Sequence, residues 1–114
     1  MHEQLFIALI PSYEPDTRLI EIVSKLKSND FSIIVVDDGS GTAYADIFQK
    51  VSKYANVISY PQNHGKGYAL KIGLKYIFKH FSGKYIVVTM DSDGQHTIED
   101  AKKVCMTSEK IRKP

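Results

Sequence analysis

At 114 residues, with 43% hydrophobic and 25% charged residues, the chain is long enough for one globular core and too short for two comfortable domains. The formal charge of +2 is small, and the lysines are scattered apart from Lys102, Lys103, Lys110, Arg112 and Lys113, so nucleic-acid binding is not indicated and that cluster reads as a solvated helix face. The lone Cys105 excludes an intramolecular disulfide and a cysteine metal cage, which fits a reducing, cytoplasmic setting.

In chain order, Leu5 to Ile10 is a continuous apolar run, the mark of a strand buried on both faces, and Pro11 is expected to stop it. The run is about a third of what a membrane span needs, and no targeting signal accompanies it. Asp16 or Thr17 can cap a helix over about Asp16 to Lys27, whose apolar stripe is Leu19, Ile22, Val23 and Leu26.

Ile33-Ile34-Val35-Val36 repeats the buried-strand signal before the turn Asp37-Asp38-Gly39-Ser40-Gly41-Thr42. A second helix carries Tyr44, Ile47, Phe48 and Val51 on one face. Asn56 to Tyr60 is a short strand ended by Pro61, and Leu70, Leu74, Ile77, Phe78 and Phe81 mark a third helix. Tyr85 to Thr89 is the fourth strand. Thr97 then caps a last helix with Glu99 and Asp100 in its first turn and lysines later.

Strand and helix alternate, which predicts a single α/β unit over 1–114: three layers, α/β/α, around a mainly parallel sheet. In such sheets ligands lie beyond the carboxyl ends of the strands, and there the unusual residues collect. The fourth strand runs into Asp91-Ser92-Asp93, two carboxylates that can present oxygens to one hard cation, which in turn clamps the phosphates of a nucleotide. The competing reading is an Asp-rich turn with Gly94 supplying the permissive backbone. A calcium loop from Asp91 fails, because His96 and Lys102 stand where Gly and Glu are needed.

Asn63-His64-Gly65-Lys66-Gly67 precedes the third helix and would suit a diphosphate: close backbone approach, unpaired helix amides and an ammonium. The plain alternative is a flexible loop with a solvated lysine. The segment is neither a P-loop nor a dinucleotide fingerprint, the latter needing a glycine where Leu70 stands.

Taken in order, Pro11-Ser12-Tyr13, Val35-Val36-Asp37-Asp38-Gly39-Ser40, Asn63-His64-Gly65-Lys66-Gly67 and Asp91-Ser92-Asp93-Gly94-Gln95-His96 resemble the GT-A fold, family 2 glycosyltransferases, particularly those acting on polyprenyl phosphates. The resemblance covers nearly the whole chain. It implies transfer of a hexose, with inversion, from a nucleoside diphosphate sugar, UDP by default and GDP for mannosyl transfer, to a polyprenyl phosphate or glycan. Pro11 and Tyr13 would frame the base, Asp38 would accept a hydrogen bond from base or ribose, and Lys66 and Asp91 would meet the diphosphate. Asp91, Asp93 and Gln95 would hold magnesium or manganese. Asp37 is expected to bond backbone amides or solvent instead, and His96 to be an exposed loop histidine.

Two departures stand out. The family often follows its Tyr with Asn-Glu, whereas this chain has Glu14-Pro15. Nor does anything after Asp93 match the acceptor half with its general base, since Glu99 and Asp100 arrive too soon; the 114 residues are therefore expected to bind donor weakly, turn over poorly and self-associate through uncovered surface. In the full-length protein the inner face of a membrane is the expected location.

Other classes fit less well. A sugar nucleotidylyltransferase would carry a glycine-rich basic loop where Pro11 to Pro15 stand, and a receiver domain would place its paired aspartates after the first strand. A non-catalytic nucleotide-binding module is the main rival. It predicts nucleotide binding without sugar transfer.

Overall fold

The computed structural model of the protein describes residues 5–92 and the backbone of residues 102–107. Leu5–Ser12 forms strand β1, Arg18–Ser28 helix α1 and Ser32–Asp38 strand β2. A 3₁₀ turn at Thr42–Tyr44 leads into helix α2, Ala45–Val51, followed by strand β3, Asn56–Tyr60, and helix α3, Lys66–His80. Strands β4, Lys84–Thr89, and β5, Lys102–Thr107, complete the order. The sheet runs β3-β2-β1-β4-β5, its first four strands parallel and β5 antiparallel to β4.

The continuous apolar runs are divided by the two-residue period of a strand between two cores. Ala8, Ile10, Ile33, Val35 and Val88 face α1 and α2, meeting Leu19, Val23, Leu26, Phe48 and Val51. Ile7, Leu9, Ile34, Val36 and Val87 face α3, meeting Ala69 and Ile77. Three layers result. Burying a side chain of this size contributes about 1.5–3 kcal/mol, so both faces of the sheet are strongly committed.

Helix placement follows from topology. The steps from β1 to β2 to β3 move in one direction with α1 and α2 on one face; returning to the far side of β1 as β4 requires the crossover helix α3 on the opposite face. Gly73 lets α3 approach closely, because a Cβ there would collide with the Leu9 side chain. At the start of α1 the N-cap residue Thr17 makes no side-chain cap, and Asp16 before it accepts from the Arg18 amide through Oδ1 at 2.9 Å. The same carboxylate pairs with the Arg18 guanidinium, and these hydrogen bonds hold its pKa below the usual range.

Three expectations need correction. First, Pro11 does not end β1, which continues to Ser12 through the pairs Pro11↔Val36 and Ser12↔Asp37. Pairing with β4 stops at Leu9↔Thr89, so β1 is flanked on one side only at its tip, where a residue without an amide proton is tolerated. Second, Phe78 is exposed; α3 buries Ala69, Gly73 and Ile77, with Leu70 and Leu74 beside them. Third, Lys102 and Lys103 belong to a strand and not to a terminal helix. The open edge of β4 offers residues 102–107 a full ladder of backbone partners, from Thr89↔Lys102 to Lys84↔Thr107, and this outweighs the local helical pattern. The expected helix cap at Thr97 and the acids Glu99 and Asp100 lie outside the described residues.

Candidate functional site

Strand order reverses at β1, whose successors β2 and β4 lie on its two sides. The pairing of β1 with β4 ends at Leu9↔Thr89, next to which the Met90 amide donates to the Leu9 carbonyl at 3.1 Å. Beyond it opens a cleft of ≈ 330 Å³ lined by Pro11, Ser12, Tyr13, Asp38, Lys66, Asp91 and Ser92. This is the topological switch point of the sheet, the place where open α/β sheets receive ligands. All five residues expected to contact a nucleotide sugar, Pro11, Tyr13, Asp38, Lys66 and Asp91, line it together. Asp93 and Gln95, expected as metal ligands, and His96 lie outside the described residues.

Asp38 is the best-satisfied group in the cleft wall. Its Oδ1 accepts from the Tyr60 hydroxyl at 2.7 Å and the His64 amide at 2.9 Å, and its Oδ2 from Asn63 Nδ2 and the Gly65 amide, both at 2.8 Å. A carboxylate offers about four lone-pair positions, and all are taken. The role expected for Asp38, accepting from base or ribose, therefore meets a competing demand: the side chain is 3% exposed and fastens the loop after β3 to the tip of β2. In return the phenol of Tyr60 is held well above its ordinary pKa, by burial first and then by the neighbouring carboxylate.

Asp37 behaves as expected of a turn residue, its Oδ1 accepting from the Ser40 amide at 3.0 Å and its Oδ2 from the Ser59 hydroxyl at 3.3 Å. Gly39, with φ of 70°, completes the joint between the two loops, since a Cβ there would strike the backbone of Gln62 and Asn63.

The fastened loop delivers the start of α3. Gly65 is its N-cap residue, with φ of 96°, and the first amides of a helix have no intrahelical acceptors. Lys66 stands at that end, and its Nζ meets Asp91 Oδ1 at 2.8 Å. Both side chains are open to solvent, 63% and 34% exposed, so the pair is worth little to stability and either partner can exchange it for a ligand.

On the far wall Tyr13 is 50% exposed, a rim aromatic beside the buried ring of Pro11. The Glu14 carboxylate raises the pKa of its phenol, so it stays neutral. The backbone of Glu14 is left-handed, φ 48°, and its amide donates to the Ser40 hydroxyl at 2.8 Å, tying the loop after β1 to the turn after β2. Among the described residues no group of three His, Cys, Asp or Glu side chains could hold a metal ion. Asp91 is the one expected ligand among them, and its half-open carboxylate already accommodates a cationic group.

Sequence reasoning did not single out Ser12, Tyr60 or Ser92. Tyr60 and Asn63 are 22 and 25 positions from Asp38, and no local pattern announces such pairing. Ser12 was visible only as the middle of a motif.

The comparisons with known proteins agree with this geometry. The family described as Glycosyl transferase family 2 matches residues 7–113. The UDP-N-acetylglucosamine–dolichyl-phosphate N-acetylglucosaminyltransferase of Methanococcus voltae is 32% identical over 120 residues, covering 91% of this chain and 47% of that protein. The dolichyl-phosphate beta-glucosyltransferase of Saccharomyces cerevisiae is 30% identical over 125 residues, covering 96% of this chain and 36% of that protein. The chain thus spans less than half the length of these curated relatives. Among solved structures, S. aureus TarS 1-349 in complex with UDP superposes with a TM-score of 0.61 at 22% identity, covering 79% of this chain and 28% of that one. A 4-diphosphocytidyl-2C-methyl-D-erythritol synthase gives 0.61 at 16% identity, covering 81% and 48%, a likeness of fold. With the family matched over almost its whole length and a relative of 32% identity beside it, the chain belongs to glycosyl transferase family 2.

Proposed function

We propose that this chain forms the donor-binding part of a metal-dependent, inverting glycosyltransferase that passes a hexose from a nucleoside diphosphate sugar to a polyprenyl phosphate. The observation that carries the reading is the convergence in one cleft of a cation and a carboxylate, Lys66 and Asp91 at 2.8 Å, with the flat Pro11 and Tyr13 wall. A nucleotide suits that division: a heteroaromatic base against the apolar wall, and a diphosphate against the ammonium and the open end of α3. UDP is the favoured nucleotide, with GDP the alternative. The relatives named for a UDP-sugar donor and for dolichyl phosphate, and a neighbour solved with UDP, support donor and acceptor class alike.

In this reading Asp91 would exchange Lys66 for magnesium or manganese, held together with Asp93 and Gln95. That ion would neutralise the departing diphosphate. Lys66 would then face the diphosphate, sharing its charge as the bond from the sugar's anomeric carbon to the diphosphate oxygen breaks and the nucleoside diphosphate leaves. Asp38 acts from behind, keeping the loop from Tyr60 to Gly65 where the α3 amides and Lys66 are useful. Inversion requires the acceptor to attack from the face opposite the diphosphate. A phosphate acceptor is already ionised and needs less help from a general base. The isolated 114 residues are expected to bind donor weakly and to transfer sugar slowly; the full-length protein would work at the inner face of a membrane.

Calorimetry with UDP and GDP, with and without manganese, tests the site. Metal-dependent binding that disappears in Asp93→Ala is the expected result. Equal weak binding by both proteins, whatever the metal, would overturn the assignment of the acidic pair, and binding without transfer to any acceptor would favour a non-catalytic module.

A further inference from the structure

We infer that the solvent face of α3 is a docking surface for an anionic lipid bilayer. Between Asp46 and Asp91 the chain carries no acidic residue, while seven lysines, from Lys50 to Lys84, fall in that stretch. The fold turns part of this bias into a surface. At about 3.6 residues per turn, Tyr68, Lys71, Lys75, Phe78 and Lys79 share roughly 100° of arc, opposite the buried stripe Ala69, Gly73 and Ile77. All five are exposed. Of the three large hydrophobic side chains exposed among the described residues, Tyr68 and Phe78 stand on this strip and Tyr13 on the rim of the cleft.

Left in water, such a strip costs the helix stability. Lys71, Lys75 and Lys79 repel one another at four-residue spacing, and among the described residues no carboxylate pairs with any of them. The opposite layer differs, since α1 and α2 mix both signs, with Glu21 and Asp46 among Lys25, Lys27 and Lys50. Positive charge is thus concentrated on one face of a chain whose formal charge is only +2. The pairing of lysines with aromatic rings selects the partner: ammonium groups meet lipid phosphates, and rings at the same level settle among the headgroups. Tyr68 is braced for that by His64, with ring centroids 4.4 Å apart, and by Tyr60 at 5.3 Å. The strip begins shortly after Lys66, which lines the cleft, so a bilayer lying along it meets the protein beside the donor site. Choosing a lipid surface over another polyanion rests on the proposed lipid-linked acceptor; the charge asymmetry does not.

The test is co-sedimentation of the 114-residue chain with vesicles of phosphatidylcholine alone and of phosphatidylcholine and phosphatidylglycerol in equal parts. Anionic vesicles should bind, neutral ones far less, and raised salt should release the protein. Lys71→Gln, Lys75→Gln and Lys79→Gln combined should weaken binding roughly 100-fold, with melting temperature and UDP affinity in manganese unchanged. Phe78→Ala should weaken it about fivefold. A control with the same net charge, Lys25→Gln, Lys27→Gln and Lys50→Gln combined, should stay within about twofold of wild type. Equal binding to the two kinds of vesicle, or an equal loss in both triple variants, overturns the inference. So does tighter binding to a single-stranded oligonucleotide at equal phosphate concentration, lost in the α3 variant, which would make the face a nucleic-acid site. Vesicle binding by a chain that takes neither UDP nor GDP sinks the donor reading and leaves the docking face standing.

Discussion

Asp38 gathers four hydrogen bonds on a side chain that is 3% exposed, and its partners come from a loop more than twenty positions away in sequence. Replacing it by Ala removes the shared acceptor of four part-buried hydrogen bonds, each bond to a charged group contributing about 1.5–3 kcal/mol before water replaces it. Asp38→Ala should therefore lower unfolding stability by at least about 2 kcal/mol in urea titrations, well beyond an ordinary surface change. Burial, and then the same carboxylate, make Tyr60 a pH-dependent element. Its folded pKa lies above the ordinary phenol value, so the stabilisation is complete below about pH 10 and fades as pH climbs toward the folded value. Tyr60→Phe should cost about 1 kcal/mol at neutral pH and flatten the loss of stability above about pH 10, measured by urea melts across that range.

At the level of elements, the cleft depends on two loops held together by backbone contact. Gly39 sits left-handed against Gln62 and Asn63, and any side chain there both strains φ and pushes the loops apart. Gly39→Ala is expected to cost more than about 2 kcal/mol, part from conformation and part from overpacking. UDP affinity should fall with it, because the start of α3 moves with residues 62 and 63. Lys66 is a separate matter: it is exposed and its ion pair adds little to stability. Lys66→Ala should leave the melting temperature within about 2 °C while weakening UDP roughly 5- to 10-fold, the usual worth of one charge-assisted contact. The same titrations at raised salt should show a shallower dependence in the variant.

For the whole molecule, the sheet ends in β3 on one side and β5 on the other, and the chain spans 47% or less of the two curated relatives described above. Exposed strand edges recruit partners unless they are covered. Analytical ultracentrifugation of the 114 residues is expected to show concentration-dependent association. A clean monomer at high concentration would overturn that expectation. No helix among the described residues is long and apolar enough to cross a membrane.

Much of this protein could be derived from residue order. Four apolar runs, punctuated by Pro, Gly and Asp, were enough to fix four strands and three helices, because a strand buried on both faces has a local signature in hydrophobicity. The motifs at the strand tips were legible for the same reason, and the prediction that Asp37 serves its own turn followed from the chemistry of a short carboxylate. The last strand, residues 102–107, was not legible, since its stability comes from the open edge of β4, a partner outside its own sequence. Nor was the saturation of Asp38, which depends on Tyr60 through Gly65 folding back across β2, or the buried Ser12 hydroxyl, which finds no partner among the described residues. Local pattern records how a segment partitions between core and water. Which polar atoms find each other across the cleft depends on distances between segments, and those exist only once the sheet has closed.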